Sequence, residues 1–119
     1  MHDDRPLTQR HPIYLDEYDA LRHKLVDMSI SIQAMETMLD TAIWKVLNGN
    51  PAIADISRIK AFFAREHERC AADAVQLHGG AGMIRGIKAE RIFRESKILS
   101  IGGGSTEVMK DLVARQEGI

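Results

Sequence analysis

The chain has little of what disulfide-rich, zinc-binding or membrane-spanning proteins need. Its 119 residues include one cysteine, Cys70, which excludes an intrachain disulfide framework and a cysteine-rich zinc module and is typical of a reducing cytosol. No apolar run approaches the ~20 residues that a bilayer span requires, and the polar start has none of the marks of a signal peptide. We therefore expect a cytoplasmic protein with no membrane partner.

An excess of charge of one sign is also missing. The 16 Lys and Arg residues nearly cancel the 17 Asp and Glu residues, so the formal net charge is −1. Such a balance gives no whole-molecule field to attract nucleic acid, and we expect no nucleic-acid partner. At this length, with 45% hydrophobic residues, the chain should form one domain around one core.

Proline is scarce and confined to the first half of the chain, at Pro6, Pro12 and Pro51. Alternating runs of β-branched residues bounded by turns are absent, so the pattern predicts an all-α fold. Residues 1–15 are polar and aperiodic, and we expect them to form an irregular N-terminal arm. Residues 16–119 are expected to form the helical domain.

A long apolar stripe predicts the first helix, over about residues 16–47. Its members recur at spacings of four and three: Leu21, Leu25, Met28, Ile32, Met35, Leu39, Ala42 and Val46. Asn48-Gly49 supplies a left-handed stop. Ile30, Ile43 and Trp44 fall off the stripe, which indicates a second buried contact of this helix.

A second long helix is predicted to follow, antiparallel to the first. Asn50 offers an N-cap and Pro51 the first helical position, and Gly79-Gly80 should end the helix at about His78. Its apolar face comprises Ile56, Ile59, Phe63, Cys70, Ala74 and Leu77. On that face, away from any helix N-terminus, Cys70 is expected to be an inert thiol.

Two shorter helices are predicted beyond the glycine-rich segment 79–86. Lys88–Leu99 forms one, with Ile92, Phe93 and Leu99 as apolar anchors and an ion pair from Glu90 to Arg94. Gly102-Gly103-Gly104 interrupts the pattern. Ser105 or Thr106 then caps a final helix through about Gln116, with Glu107 near its positive end.

Three ordered motifs make the sequence recognisable. Together, in this order and spacing, they resemble the C-terminal helical domain of acyl-CoA dehydrogenases. The three segments are Asp73-Ala-Val-Gln-Leu-His-Gly-Gly-Ala-Gly-Met83, Glu90–Ile98 and Ile101–Glu107. That family carries Gln-x-His-Gly-Gly-x-Gly, then Glu-Arg-x-x-Arg-Asp, then Ile-x-x-Gly-Thr-Ser-Glu, at the same spacing. The resemblance runs from about residue 16 to residue 116. It implies an up-down helical bundle with one bundle helix missing, and without the family's front helical and β domains.

The resemblance also implies a flavin site, because glycines beside helix ends let backbone N–H groups approach a phosphate or a flavin ring. The residues that would contact the FAD of a neighbouring subunit are Gln76, Leu77, His78, Gly79 and Gly80. Those that would lie by FAD at the start of the last helix are Ser105, Thr106 and Glu107. Gly104 matches the glycine whose backbone faces the thioester of acyl-CoA. Taken without the motifs, the same glycines fit helix caps and a tight turn.

The catalytic position departs from the family pattern. Many members carry a glutamate there, the general base that removes the α-proton of the thioester substrate while hydride leaves to the flavin. This chain has Gly103, so we predict no catalytic residue. Another branch of the family also has glycine there and places its glutamate on an earlier helix, which precedes the segment present here.

Other expected flavin contacts are altered as well. Counting back along the motif puts Thr8 and His11 where the family has an arginine and a phenylalanine, and Asp19 where it has a glutamine. The lone His78 is expected to form a local hydrogen bond. His11, His23 and His67 lack metal-ligand spacing, so no metal site is predicted.

Three readings of the function follow. The chain is expected to be a domain of a flavin oxidoreductase that acts on the CH–CH bond of acyl-CoA thioesters, not catalytic in isolation, with a homo-oligomer or a flavoprotein subunit as partner. The alternative is a non-catalytic helical oligomerisation or binding module. A third reading is a piece of a split protein whose remainder carries the activity. A bundle that lacks one helix exposes an apolar groove, which favours an oligomer.

Overall fold

The computed structural model describes the backbone from residue 12 to residue 119 and the side chains from residue 19 onward. This part of the chain is helical and contains no strand, which confirms the all-α prediction. The elements are α1 (Pro12–Leu47), α2 (Ile53–His78), a 3-10 helix (Gly79–Met83), α3 (Lys88–Glu95), α4 (Ile98–Ile101) and α5 (Thr106–Glu117). Most of the predicted arm lies outside the described residues, and α1 begins four residues earlier than predicted, at a proline that suits the first turn.

Helices α1 and α2 pack antiparallel, as predicted. Lys24 near the start of α1 pairs with Asp73 near the end of α2, at 3.1 Å. Lys45 at the other end of α1 pairs with Asp55 at 2.9 Å. As residue numbers rise along α1, the numbers of the contacted residues in α2 fall, which defines the antiparallel direction.

The connection between the two helices differs from the prediction at one end. Leu47 ends α1 and Gly49 takes a positive φ of 86°, which confirms the left-handed stop. The predicted cap at Asn50 is wrong, because α2 begins at Ile53. The Asn50 side chain instead accepts a hydrogen bond from the Ala52 N–H at 2.8 Å, and Ala52 is itself left-handed with φ 51°, so the helix cannot start before Ile53.

Helix α2 is the centre of the fold, since α1, α3, α4, α5 and the 3-10 helix all pack against it. The buried side chains of its most enclosed face are small: Ser57, Ala64 and Ala71 lie seven residues apart. Small side chains at this spacing let neighbouring helices approach closely along one line. Within the described part of the chain, no helix is both long and apolar enough to span a membrane.

The predicted third helix is divided in two. It ends at Glu95 and resumes as α4 at Ile98, because the N–H and the hydroxyl of Ser96 both donate to the carbonyl of Phe93, at 3.2 and 2.7 Å. This tightens the last turn of α3. Of the predicted apolar anchors, Phe93 is 48% exposed and Leu99 is 40% exposed.

The apolar stripe of α1 is only partly covered by α2. Ala42 is buried, but five members of the stripe are exposed: Leu21, Leu25, Ile32, Leu39 and Val46. The contact uses the neighbouring face of α1, which carries Lys24, Ser31 and Lys45. Ile30, Ile43 and Trp44, for which a second buried contact was predicted, are also exposed within this chain.

A hydrogen-bonded cluster lies at the middle of the α1–α2 contact. The Ser31 hydroxyl donates to Glu66 at 2.7 Å, and Arg69 donates to the same carboxylate at 2.9 Å. The Ser31 hydrogen bond is the main reason that the pKa of Glu66 lies below its usual value; burial opposes the shift and Arg69 reinforces it. A carboxyl with a lowered pKa in the folded state stabilises the fold above its ordinary pKa, and that stabilisation is lost as the pH falls through the lowered value.

We therefore expect Ser31→Ala to lower the free energy of unfolding by about 1–2 kcal/mol at neutral pH, because a hydrogen bond to the partly buried Glu66 carboxylate is lost. The deficit should shrink as the pH falls and Glu66 becomes protonated in both proteins. Urea unfolding at pH 7 and below pH 4 measures the difference. Ser29→Ala, at an exposed position of the same helix, is the control and should change little. An equal deficit at both pH values would contradict this role for Glu66.

Candidate functional site

The first set of predicted site residues lies where α2 passes into the 3-10 helix. Gln76, Leu77 and His78 form the last turn of α2, and Gly79 and Gly80 begin the 3-10 helix. Gly79 has φ 61° and its N–H donates to the Gln76 carbonyl. The His78 ring nitrogen Nδ1 lies 2.8 Å from the Ala74 carbonyl oxygen, which confirms the expected local hydrogen bond.

The glycines of this set face open space. A Cβ added to Gly79 or to Gly80 would meet nothing within 4 Å, so a ligand can approach the backbone there. Gly82, in the same motif, is different: it is buried, and a Cβ would lie 2.6 Å from the Val75 carbonyl oxygen. Gly82 is therefore required by packing, whereas Gly79 and Gly80 leave a surface free.

The second set of predicted site residues lies at the start of α5. Ser105 is the N-cap, and its hydroxyl accepts a hydrogen bond from the Val108 N–H at 3.3 Å, as predicted. Thr106 and Glu107 are the first residues of the helix. The backbone N–H groups of a helix's first turn are aimed outward and carry partial positive charge, which suits a phosphate or another polar group.

Lys60 of α2 holds the glycine loop that leads into α5. Its ammonium donates to the carbonyls of Leu99 at 3.0 Å, Gly102 at 2.6 Å and Gly104 at 2.9 Å, so all three of its donors are used. This residue was not predicted, because its partners are 39 to 44 positions away in the sequence. Within this loop Gly103 and Gly104 have φ values of 68° and 103°, a region that disfavours other residues.

A cavity of about 710 Å³ opens beside the start of α5, between α2, α4 and α5. Thr106 and Glu107 line it together with an apolar wall from Phe62 and Ile101. Its size falls within the range of small-molecule sites. The residues at the end of α2 do not line this cavity.

The two sets do not meet in one copy of the chain. The second set is anchored at Lys60, which lies about 24 Å along α2 from Gln76 at a rise of 1.5 Å per residue. The cavity beside Thr106 and Glu107 extends along α2 as far as Glu68, which lies about 12 Å from Gln76. Of the altered family contacts, Thr8 and His11 lie outside the described residues. Asp19 pairs with Arg22 on α1. Cys70 is half-buried, and burial raises its pKa, so the thiol stays protonated and unreactive.

Replacing Gly82 with alanine should destabilise the fold by about 1–3 kcal/mol, because the new methyl group overlaps the Val75 carbonyl. Gly80→Ala is the matched control from the same motif and should stay within about 0.5 kcal/mol of the wild type. Thermal unfolding followed by circular dichroism distinguishes them. Equal stability of the two variants would show that Gly82 is not confined by Val75.

Lys60→Met should release the glycine loop while keeping the length of the side chain. We expect a loss of about 1–3 kcal/mol, because three carbonyls lose a charged donor, and faster hydrogen exchange of the amides of residues 102–106. Lys110→Met, at an exposed position of α5, should leave this exchange unchanged. Unchanged exchange of the loop in Lys60→Met would rule out the clamp.

Comparison with known proteins adds independent support for the fold and the motifs. The family model described as acyl-CoA dehydrogenase, C-terminal domain, matches residues 8–118. Among curated relatives, "Probable acyl-CoA dehydrogenase YngJ" of Bacillus subtilis is 29% identical over 102 residues, covering 86% of this chain and 27% of its own length.

Comparison with solved structures supports the same family. The acyl-CoA dehydrogenase of Geobacillus kaustophilus superposes with a TM-score of 0.82 at 28% identity, covering 95% of this chain and 30% of that one. The FAD complex of PigA superposes with a TM-score of 0.81 at 25% identity, covering 92% and 29%. This chain thus spans less than a third of the proteins that it matches. It belongs to the acyl-CoA dehydrogenase family and corresponds to the family's C-terminal helical domain.

Proposed function

We propose that this chain supplies flavin contacts in an acyl-CoA dehydrogenase-type oxidoreductase, which acts on the CH–CH bond of acyl-CoA thioesters, and that it supplies no general base. Membership of the family supports the reaction class, and a similar chain fold occurs in the FAD complex of PigA. The observation that carries the proposal is the glycine loop clamped by Lys60, which presents the start of α5 next to a cavity.

The residues present fit parts of FAD. Gly79 and Gly80 offer a backbone surface that a Cβ would fill, and a flat ring or a phosphate could lie against it. The N–H groups of Thr106 and Glu107, at the positive end of a 12-residue helix, suit a polar or anionic part of the cofactor. When bound, FAD would supply the hydride acceptor.

The substrate side of the site is incomplete in this chain. The Gly104 carbonyl is taken by Lys60, which leaves the Gly104 N–H to meet a thioester oxygen. Gly103 has no side chain that could remove a proton. The base and most of the acyl cavity would therefore lie outside these 119 residues.

The separation of the two sets of predicted site residues affects which assembly could form a complete flavin site. Because they share no cavity within one copy, each copy would contribute its first set to one flavin and its second set to another. A complete flavin site then requires two copies, in a homo-oligomer, or one copy and a flavoprotein subunit.

A non-catalytic oligomerisation module is the second candidate. The glycine at the position of the family's base and the exposed apolar side chains of α1 favour it. Flavin binding distinguishes the two candidates, because the oxidoreductase domain is expected to bind FAD and the non-catalytic module is not.

Titration of the purified chain with FAD, by calorimetry and flavin fluorescence, tests the proposal. The wild type should bind FAD, and two variants should each weaken binding by tenfold or more, about 1.4 kcal/mol. Gly80→Val fills the open surface of the first set. Thr106→Pro removes an N–H and a hydroxyl from the second set at a position where helices tolerate proline.

The control is Thr37→Ala, on an exposed part of α1, which should bind FAD as the wild type does. All variants should keep the wild-type circular dichroism spectrum. A folded wild-type chain that gives neither heat nor fluorescence change with FAD would overturn the flavin proposal and favour the module.

A further inference from the structure

We propose that a second cavity, at the start of α3, binds a diphosphate group, either as the free ion or as part of a small organic molecule. This α3 cavity has a volume of about 630 Å³ and is lined by residues 85–88 together with Glu90, Arg91 and Arg94. None of the residues in the two flavin sets lines it. The proposal therefore goes beyond the flavin function and does not rest on it.

The α3 cavity contains part of the second sequence motif, for which the flavin proposal has no use. Glu90, Arg91 and Arg94 belong to the Glu-Arg-x-x-Arg pattern, and Arg85 and Lys88 precede them. Four cations and one carboxylate therefore line this cavity, although the whole chain has a formal net charge of −1. Positive charge concentrated at one concave surface raises the local concentration of anionic ligands.

The Glu90 carboxylate neutralises one of the four cations. It accepts a hydrogen bond from Arg94 Nε at 3.1 Å, and the Glu90 side chain is only 16% exposed, so this pair is held in place. Among the side chains that the structure describes, those of Arg85, Lys88 and Arg91 form no ion pair and no hydrogen bond with one another or with a neighbour, and all three are exposed. Three like charges around one cavity repel each other, and an anion bound between them removes that repulsion.

The spacing of the cations lets them act on one ligand. Lys88, Arg91 and Arg94 are three residues apart, so they lie within about 120° of arc around α3 and within about 9 Å along it. Arg85 joins them from the loop before the helix, where Gly86 has a φ of 98°. A Cβ at Gly86 would meet nothing within 4 Å, so the backbone between Arg85 and Lys88 is open to a ligand.

The number and type of these cations favour a diphosphate over a single phosphate. Arginine presents a planar fork of N–H donors that matches pairs of phosphate oxygens, and two of the three unpaired cations are arginines. One phosphate monoester carries about 1.5 to 2 negative charges at neutral pH, which is fewer than three, whereas two linked phosphates carry more. The N–H groups of the first turn of α3, which no side chain caps, add partial positive charge beside the cations.

Calorimetric titration with sodium pyrophosphate, in the absence of FAD, tests the proposal. At about 20 mM salt the wild type should bind pyrophosphate with a dissociation constant below about 1 mM. Arg91→Gln should raise that constant by about tenfold or more, because the middle cation of the α3 row is lost. Arg115→Gln is the matched control: it removes the same charge from an exposed position of α5, outside the cavity, and should change the constant by less than about twofold. Both variants should keep the wild-type circular dichroism spectrum.

Two further ligands define the chemical class. Inorganic phosphate should bind at least about threefold more weakly than pyrophosphate, since it carries less charge. Uridine diphosphate distinguishes the two sources of a diphosphate group. Tighter binding than that of pyrophosphate assigns the site to an organic diphosphate, and equal or weaker binding assigns it to the free ion.

Three results would overturn the proposal. These are no heat change with pyrophosphate up to about 5 mM, an Arg91→Gln variant that binds pyrophosphate no more weakly than Arg115→Gln does, and inorganic phosphate that binds as tightly as pyrophosphate. Failure of the flavin proposal is measured separately. Gly80→Val and Thr106→Pro, the variants designed to weaken FAD binding, should bind pyrophosphate as the wild type does.

Discussion

The packing of every other element against α2 is the constraint on which the structure depends. One side of α2 meets α1 through polar contacts, with Lys24–Asp73, Ser31–Glu66 and Lys45–Asp55 in antiparallel order. The other side meets the shorter helices, and there the Lys60 ammonium joins α2 to three carbonyls around the glycine loop. Because α2 is one rigid helix, it also fixes the distance between the two ends at which flavin contacts are proposed.

Local signals in the sequence predicted the ends of the helices well. Gly49, Gly79 and Ser105 act as the sequence suggests, because a positive φ or a hydroxyl cap is a property of one residue and its near neighbours. The start of α2 was predicted wrongly, since Ala52 takes a left-handed conformation that its residue type does not indicate. Ser96 divided α3 from α4 through a hydrogen bond that periodicity does not encode.

Tertiary relations were harder to predict. The stripe that includes Leu25, Ile32 and Leu39 is strongly periodic, but periodicity does not say which neighbour covers a face, and α2 covers only the edge of the stripe that carries Ala42. The role of Lys60 depends on carbonyls in a distant loop. The difference between Gly80 and Gly82 depends on the position of the Val75 carbonyl. The motif placed the candidate site residues by family resemblance, whereas their separation along α2 is visible only in three dimensions.

These features combine into one account of a divided candidate site. Gly79 and Gly80 leave a backbone surface that suits a flavin, Gly103 has no side chain that could act as a base, and the proposed flavin contacts lie at two places that share no cavity. The exposed α1 face gives a physical reason for copies to associate. The central claim is therefore that a flavin site is shared between copies.

Complementation between binding-deficient variants tests that claim most directly. Gly80→Val and Thr106→Pro chains are mixed in equal amounts, unfolded together and refolded, and the FAD bound per chain is measured by equilibrium dialysis. Half of the dimers in a random mixture are mixed, and each has one site with both surfaces intact, so the account predicts about a quarter of the wild-type capacity. A mixture that binds no more FAD than the separate variants do would contradict it.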